Sequence, residues 1–416
     1  MYRLTDTLFL WYLGEPQFPL LVGRLRLVPS LKGVSLEYAS SWLKDGFPLS
    51  EDLPLVAGEF LPPVKERAAG AVDDARPDRW GERIIKLLNK PPRLSILEML
   101  YFAGDERFGA LGVSVSEEEY LPSRLPALPK LDSLEKIHQV VRAVLEKKEI
   151  DEPLRRLIAP GVTLGGARPK ALVNIDGQQW VLKFAEEDHS FEPLYEHAAM
   201  ALARRANIQT ADTRPMRLQK GYAVAIRRFD RDDAGRRRHA VSANVALTAV
   251  GEDLSYPALA QLLRRRAPAS LFAEQMHELF RRMVFNILID NTDDHEKNHA
   301  LLMQDDESYI LSPAFDVVPT CQSLGYQAMN VGQDGFDSTI ANALSDARSF
   351  GLTANQAIDQ ARHVAEIVDG WREFFRQEGV PEQAIEDLAQ HIDRSHLFEQ
   401  RQALLQGKFR IRKGRS

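Results

Sequence analysis

Two short β-prone runs, Lys170–Ile175 and Gln178–Phe184, meet at Asp176-Gly177, and most of the chain from Tyr256 onward carries helical spacing. An Asp-Gly pair between such runs favours a two-residue hairpin, because the turn needs positive φ at both central positions. Glu192–Arg205 reads as a helix, Tyr222–Phe229 as a further strand, and Leu271–Ile289 as the clearest amphipathic helix. Strands and one helix followed by a helical bulk is an α+β order with two unequal lobes, unlike the alternation of a parallel α/β fold. Upstream, Leu8–Leu13 and Leu20–Val28 lean to β, Arg93–Phe102 to helix, and Gly104 and Gly109 mark turns. The proline-rich passage Leu121–Pro129 is the best linker, and Ser133–Lys148 after it has helical spacing. The chain therefore divides into a β-rich region over 1–120, a linker and helix over 121–160, a hairpin-bearing segment over 161–255 and a helical region over 256–416.

Bulk properties remove several function classes. With 416 residues the chain can bury a large core, and a net charge of -6 gives no global attraction to nucleic acid or anionic lipid. Any such contact would need a local patch, such as Arg236–Arg238, Arg264–Arg266 or the basic tail Lys408–Ser416. One cysteine, Cys321, cannot form an intramolecular disulfide or a thiolate-built zinc site, and it suits a reducing, cytoplasmic setting. The apolar run Leu8–Leu13 follows Asp6 and runs into Gly14-Glu15-Pro16, which fits a strand better than a signal-peptide core. No stretch has the length and apolarity of a membrane span.

Chemistry-bearing residues fall in a particular order. Thr163-Leu164-Gly165-Gly166-Ala167-Arg168-Pro169-Lys170 enters the hairpin. Adjacent glycines let backbone amides approach a phosphate, although the glycine spacing is neither a Walker A loop nor a Rossmann fingerprint, and a plain tight turn would look alike. Lys183 lies inside the apolar run Trp180–Phe184, and an ammonium there needs either an edge position or a partner, for which Glu196 on the next helix is suited. Strand lysine with helix glutamate is how protein kinases hold ATP phosphates.

Directly after the long apolar helix comes Asn291-Thr292-Asp293-Asp294-His295-Glu296-Lys297-Asn298-His299. It holds an Asp and an Asn separated by four residues, the spacing of kinase catalytic loops. The same segment contains His295-Glu296-Lys297-Asn298-His299, which matches the H-E-x-x-H zinc-protease pattern if it forms a helix. Against that, His299–Met303, Gln304–Ser308 and Tyr309–Leu311 read as strand, turn and strand, so His295 and His299 are better taken as supports for the loop. The strands lead to Ser312–Val318, where Asp316 sits among apolar neighbours as a hard ligand suited to magnesium. Glycine-rich loop, strand lysine, helix glutamate, Asp-x4-Asn and a second Asp are in kinase order.

On Thr163–Lys170 and Phe285–Asn298, together with Arg228-Phe229-Asp230-Arg231, Phe315–Pro319, Ala328–Gly332, Phe350-Gly351-Leu352 and Pro77-Asp78-Arg79-Trp80-Gly81, the sequence resembles the HipA family of bacterial toxin kinases over most of its length. The resemblance implies a two-lobed protein-kinase-like fold with an added N-terminal β-rich domain and a mainly helical C-terminal lobe. It implies Asp293 as catalytic base, Asn298 and Asp316 as magnesium ligands and Lys183, with Glu196, at the ATP phosphates. Thr163, Gly165, Gly166, Ala167 and Lys170 would form the phosphate loop, and Arg228 and Phe229 would line the adenine side. ATP and Mg2+ would be the cofactors. The expected partners are a DNA-binding antitoxin and a protein substrate, with aminoacyl-tRNA synthetases the family's known substrate class.

Thr163 stands where the family often has an autophosphorylated serine, Pro169 where it often has a loop glutamate, and Asp294 where glycine is frequent, an extra charge expected beside the metal ligands. Rival readings are an antitoxin-bound co-repressor with little catalysis, a small-molecule kinase using the same residues, and a zinc protease. DNA would be met through the antitoxin or weakly through the basic tail.

Overall fold

The computed structural model describes residues 4–123, 128–155, 157–158, 160–161, 166–186 and 190–408. It forms two compact units, one of residues 1–186 and 225–250, the other of residues 187–224 and 251–416. The hairpin and the Glu192–Arg205 helix, grouped together over 161–255 on sequence, thus fall in different units. Thr163, Gly165 and the basic tail beyond Lys408 lie outside the described residues.

The first unit opens with strands β1 (Thr7–Tyr12), β2 (Leu20–Val28), β3 (Gly33–Tyr38), β4 (Glu59–Phe60) and β5 (Leu111–Ser114). They form one sheet in the order β4-β3-β2-β1-β5, antiparallel throughout. Leu8 and Leu10 of β1, Val22 and Leu25 of β2 and Val34 and Leu36 of β3 are fully buried, and the Ile96–Phe102 helix packs on this sheet. A capping box between Ser95 and Glu98 starts that helix. Gly23 in β2 is obligatory, because a Cβ there would lie 2.2 Å from the Glu37 carbonyl of the neighbouring strand.

Strands β6 (Lys170–Ile175) and β7 (Gln178–Phe184) form the expected hairpin, with Asp176 at φ 54° and Gly177 at φ 82°. Both central residues have positive φ, as a type I′ turn requires. The N-terminal Pro77–Gly81 stretch is fastened to this hairpin. Asp78 forms an ion pair with Lys170, Trp80 Nε1 donates to the Lys170 carbonyl at 2.8 Å, and Gly81 leaves room for the Pro160 carbonyl, which a Cβ would meet at 2.0 Å.

The Arg228–Arg231 stretch is likewise a fastening. Asp230 accepts from Arg228 Nε and Nη2 at 3.0 and 2.7 Å, from Arg231 Nη1 at 2.7 Å and from the Gly109 N–H at 2.8 Å. Burial would push its carboxyl up, but the two guanidiniums hold it far below the usual carboxylate range.

In the second unit the Phe272–Leu288 helix is the central element, buried from Gln275 to Leu288 apart from His277. It accommodates charge by pairing, with Arg282 bonded to Glu278 one turn earlier and to the Ser312 carbonyl at 2.7 Å. Around it pack the Tyr256–Arg266 and Ala354–Asp369 helices, with Ser395–Leu405 against the latter. Among the described residues no helix is long and apolar enough to cross a membrane.

Candidate functional site

The central helix stops in a Schellman-type turn. Asp290 takes φ 58°, its N–H donates to the Ile287 carbonyl at 3.3 Å, and the Asn291 N–H donates back to the Asn286 carbonyl at 2.9 Å. Glycine usually fills this left-handed position, so an aspartate there needs a reason. The reason is a second job for Asp290. Its carboxylate pairs with Arg394 at 3.0 Å and accepts the Ser323 N–H at 3.1 Å, while its carbonyl accepts the Thr320 N–H and hydroxyl at 3.1 and 2.9 Å. Thr320 Oγ1 lies 2.7 Å from the Thr292 hydroxyl. The segment carrying Asp316 is therefore stapled to the start of the polar loop.

Within that loop Asp293 is exposed and Asp294 is buried. The Asp293 carbonyl accepts the His295 N–H at 2.8 Å and Asn298 Nδ2 at 3.3 Å. Asn298 is only 4% exposed, and its carbonyl oxygen Oδ1 is buried without a hydrogen-bond donor. A bare amide oxygen in a dry site is costly unless something electropositive meets it. Asp316 lies half-buried at φ 58°, a left-handed conformation that non-glycine residues adopt at a cost when the surroundings enforce it. An unpartnered amide oxygen and an aspartate are both hard oxygen donors, and they fit a magnesium ion better than a soft metal.

The Asp294 carboxylate departs from expectation. It faces inward, accepting from the Tyr256 hydroxyl, from Asn286 Nδ2 at 2.7 Å and from His299 Nε2 at 3.0 Å. Burial would raise its carboxyl, yet His299 and the hydrogen bonds from His299 and Tyr256 outweigh that and hold it below the ordinary value. Instead of adding charge beside the expected metal ligands, it sits in a cage of donors. Beside it lies a small, mainly apolar pocket whose walls include Arg282, Phe285, Asn298 and Phe315.

The helix that a zinc protease requires is absent here. Glu296–Asn298 make one 3-10 turn and a strand begins at Ala300. His295 Nδ1 accepts the Lys297 N–H at 3.2 Å and His299 Nε2 is committed to Asp294. Among the described residues no group of His, Cys, Asp and Glu has the arrangement of a metal site made from those residue types alone.

In the first unit Lys183 is 2% exposed and Lys170 fully buried, and the two are cross-strand partners in the hairpin. Lys170 Nζ binds Asp78 and the Gly166 carbonyl, the latter at 2.7 Å, so its charge is already matched. Gly166 (φ 45°) and Ala167 are exposed. Arg228, expected at the adenine side, spends its guanidinium on Asp230 and on the Glu106 and Arg107 carbonyls at 3.0 and 2.8 Å, and Phe229 meets Phe108 edge-on at 5.7 Å. Glu196 is 1% exposed on the Glu192–Arg205 helix of the second unit.

Sequence reading assigned no role to Tyr256, Asn286, Asp290 or Arg394. Asn286 was legible only as a polar residue in an apolar helix, and Tyr256 and Arg394 carry no local signal at all.

The HipA-like C-terminal domain family matches residues 162–372, just over half of the chain. The chain belongs to the HipA-like family. Its α+β fold is that of HipA: the HipA of Shewanella oneidensis MR-1, solved with HipB and its operator DNA as a toxin–antitoxin system, superposes with a TM-score of 0.67 at 18% identity, covering 95% of this chain and 96% of that one. Among curated relatives, Y4dM of Sinorhizobium fredii, named as a candidate kinase, is 29% identical over 157 residues, 35% of this chain and 38% of its own length. A candidate kinase of Haemophilus influenzae is 24% identical over 182 residues, 38% of this chain and 52% of its own. The HipA-like chain thus spans from about two fifths to half the length of these two relatives.

Proposed function

We propose that the chain is an ATP- and magnesium-dependent serine/threonine protein kinase, acting as the toxin of a toxin–antitoxin pair. The observation that carries this reading is the buried, unpartnered Oδ1 of Asn298, five residues after an exposed Asp293 and on a loop stapled to the segment of Asp316. Asp293 accepts the proton of the target hydroxyl and orients it for attack. Asn298 and Asp316 hold the magnesium. The bound ion offsets the negative charge that develops on the transferring phosphoryl group. Lys183 steadies the ATP phosphates together with Gly166 and Ala167, while Lys170 secures that loop through the Gly166 carbonyl and Asp78. Phe229 flanks the adenine, on a segment that Arg228 ties down through Asp230.

The family resemblance supports a translation-related target of the aminoacyl-tRNA synthetase class, and autophosphorylation at Thr163. A DNA-binding antitoxin partner in the cytoplasm is supported by the HipB-bound relative.

Labelled ATP and magnesium, incubated with the purified chain alone and with cytosolic extract, test the reading beside Asp293→Asn. Label on the chain or on one discrete extract protein, lost in the variant, supports it. Bound nucleotide with no transfer to anything under either condition overturns it.

A further inference from the structure

The three donors to Asp294 belong to three elements. Tyr256 opens the Tyr256–Arg266 helix, Asn286 lies in the last turn of the central helix, and His299 immediately precedes the Ala300–Met303 strand. The Tyr256 and His299 rings also meet edge-on at 5.6 Å. Asn286 grips the start of the loop as well, its Oδ1 accepting Asn291 Nδ2 at 3.0 Å. Asp294 therefore joins the floor of the loop to both of its ends. Its neighbour Asp293 is tied to Asn298 through the Asp293 carbonyl, so any displacement of Asp294 carries both groups with it.

We infer that Asp294 is a positioning residue, which with Tyr256, Asn286 and His299 fixes the loop so that Asp293 and Asn298 stand ready before any substrate arrives. A carboxylate suits the post because it only accepts, and all three neighbours donate. All three bonds converge on one oxygen, Oδ2, so an amide with its oxygen there would keep their geometry but lose the negative charge that strengthens each of them. Such fixed groups avoid reorganisation during the reaction. The consequence for turnover rests on the kinase reading, whereas the anchoring of the loop does not.

The test compares the full chain with Asp294→Asn and Tyr256→Phe. Hydrogen exchange over residues 290–300 is followed together with kcat, KM for ATP and the magnesium concentration for half-maximal rate. Asp294→Asn is expected to speed exchange in the loop by about tenfold, the scale of the charge assistance lost from its three hydrogen bonds. It should lower kcat by a similar factor, raise the magnesium requirement and leave KM for ATP within about twofold. Tyr256→Phe, which removes one of the three bonds outright, should show the same pattern in loop exchange and turnover. Loop exchange equal to that of the original chain overturns the inference, whether or not the protein turns over. So does a loss of turnover that merely follows the melting temperature and disappears on cooling. An original chain that transfers no phosphate refutes the kinase reading instead, and the exchange data still decide the anchoring.

Discussion

Lys170 and Lys183 stand directly opposite each other in the β6–β7 hairpin, and both are buried. Like charges at such a position repel, and each ammonium is also costly to desolvate. Asp78 resolves this for Lys170 through a close ion pair, and the same aspartate caps the Arg79–Ile84 helix by accepting the Gly81 N–H at 2.9 Å.

Asp78→Ala removes both roles. Breaking a buried pair costs about 3–5 kcal/mol and losing a cap about 1 kcal/mol, so urea unfolding should show a loss of roughly 4 kcal/mol or more. Asp78→Asn combined with Lys170→Met should recover most of it, because no unpaired charge remains. A loss under about 1 kcal/mol for Asp78→Ala would mean that Lys170 finds other compensation.

Much of this geometry was legible. The hairpin strands and the Glu192–Arg205 helix agree with expectation residue for residue, because an Asp-Gly turn and a proline in the first helical turn are local signals. The central helix was also clear, apart from one residue at each end. The direction of Asp294 was not. Whether a carboxylate points to solvent or inward depends on donors such as Tyr256, 38 residues away, and no local pattern reports them. The stretches 77–81 and 228–231 stood out in the sequence for the same hidden reason, since each is a set of contacts to residues distant along the chain.

The two proposed magnesium ligands should separate by effect. Asp316→Asn is expected to abolish phosphoryl transfer. Asn298→Ala should retain some turnover while raising the magnesium needed for half-maximal rate by about tenfold, equivalent to about 1.4 kcal/mol of lost ligation. Magnesium titration of the initial rate measures both, and an unchanged titration for Asn298→Ala would remove it from the ligand set.

His239 is fully buried, and its Nε2–H donates to the Leu49 carbonyl at 2.8 Å. Burial pulls its pKa down to about 4, against an ordinary value near 6.5. The unfolded chain therefore binds a proton that the folded chain refuses, so stability is complete above about pH 6.5 and declines toward pH 4, by up to about 3 kcal/mol. Chemical denaturation from pH 7 to 4 should show this slope, and His239→Gln, which keeps a donor for Leu49, should flatten it.

At Asp290 two effects compete. Glycine would relieve a left-handed aspartate by about 1 kcal/mol, but it would leave Arg394 without its carboxylate and remove the bond to the Ser323 N–H. The Ser323 N–H bond to the carboxylate is charge-assisted and worth about 1.5–3 kcal/mol, so Asp290→Gly should destabilise the chain by about 1–2 kcal/mol. Equilibrium unfolding checks the sign, and a gain in stability would show that the strain dominates.

The bond between Asp78 and Lys170 also bears on how this protein can be divided. The span shared with the family starts at residue 162, so a fragment cut there keeps Lys170 and discards Asp78, Trp80 and Pro160 together. Such a fragment would expose a naked ammonium and an open carbonyl at the first rung of its own hairpin. The N-terminal region is in this sense a permanent counter-ion for the rest of the chain, and gene fusions or truncations that separate the two at that boundary should yield insoluble protein.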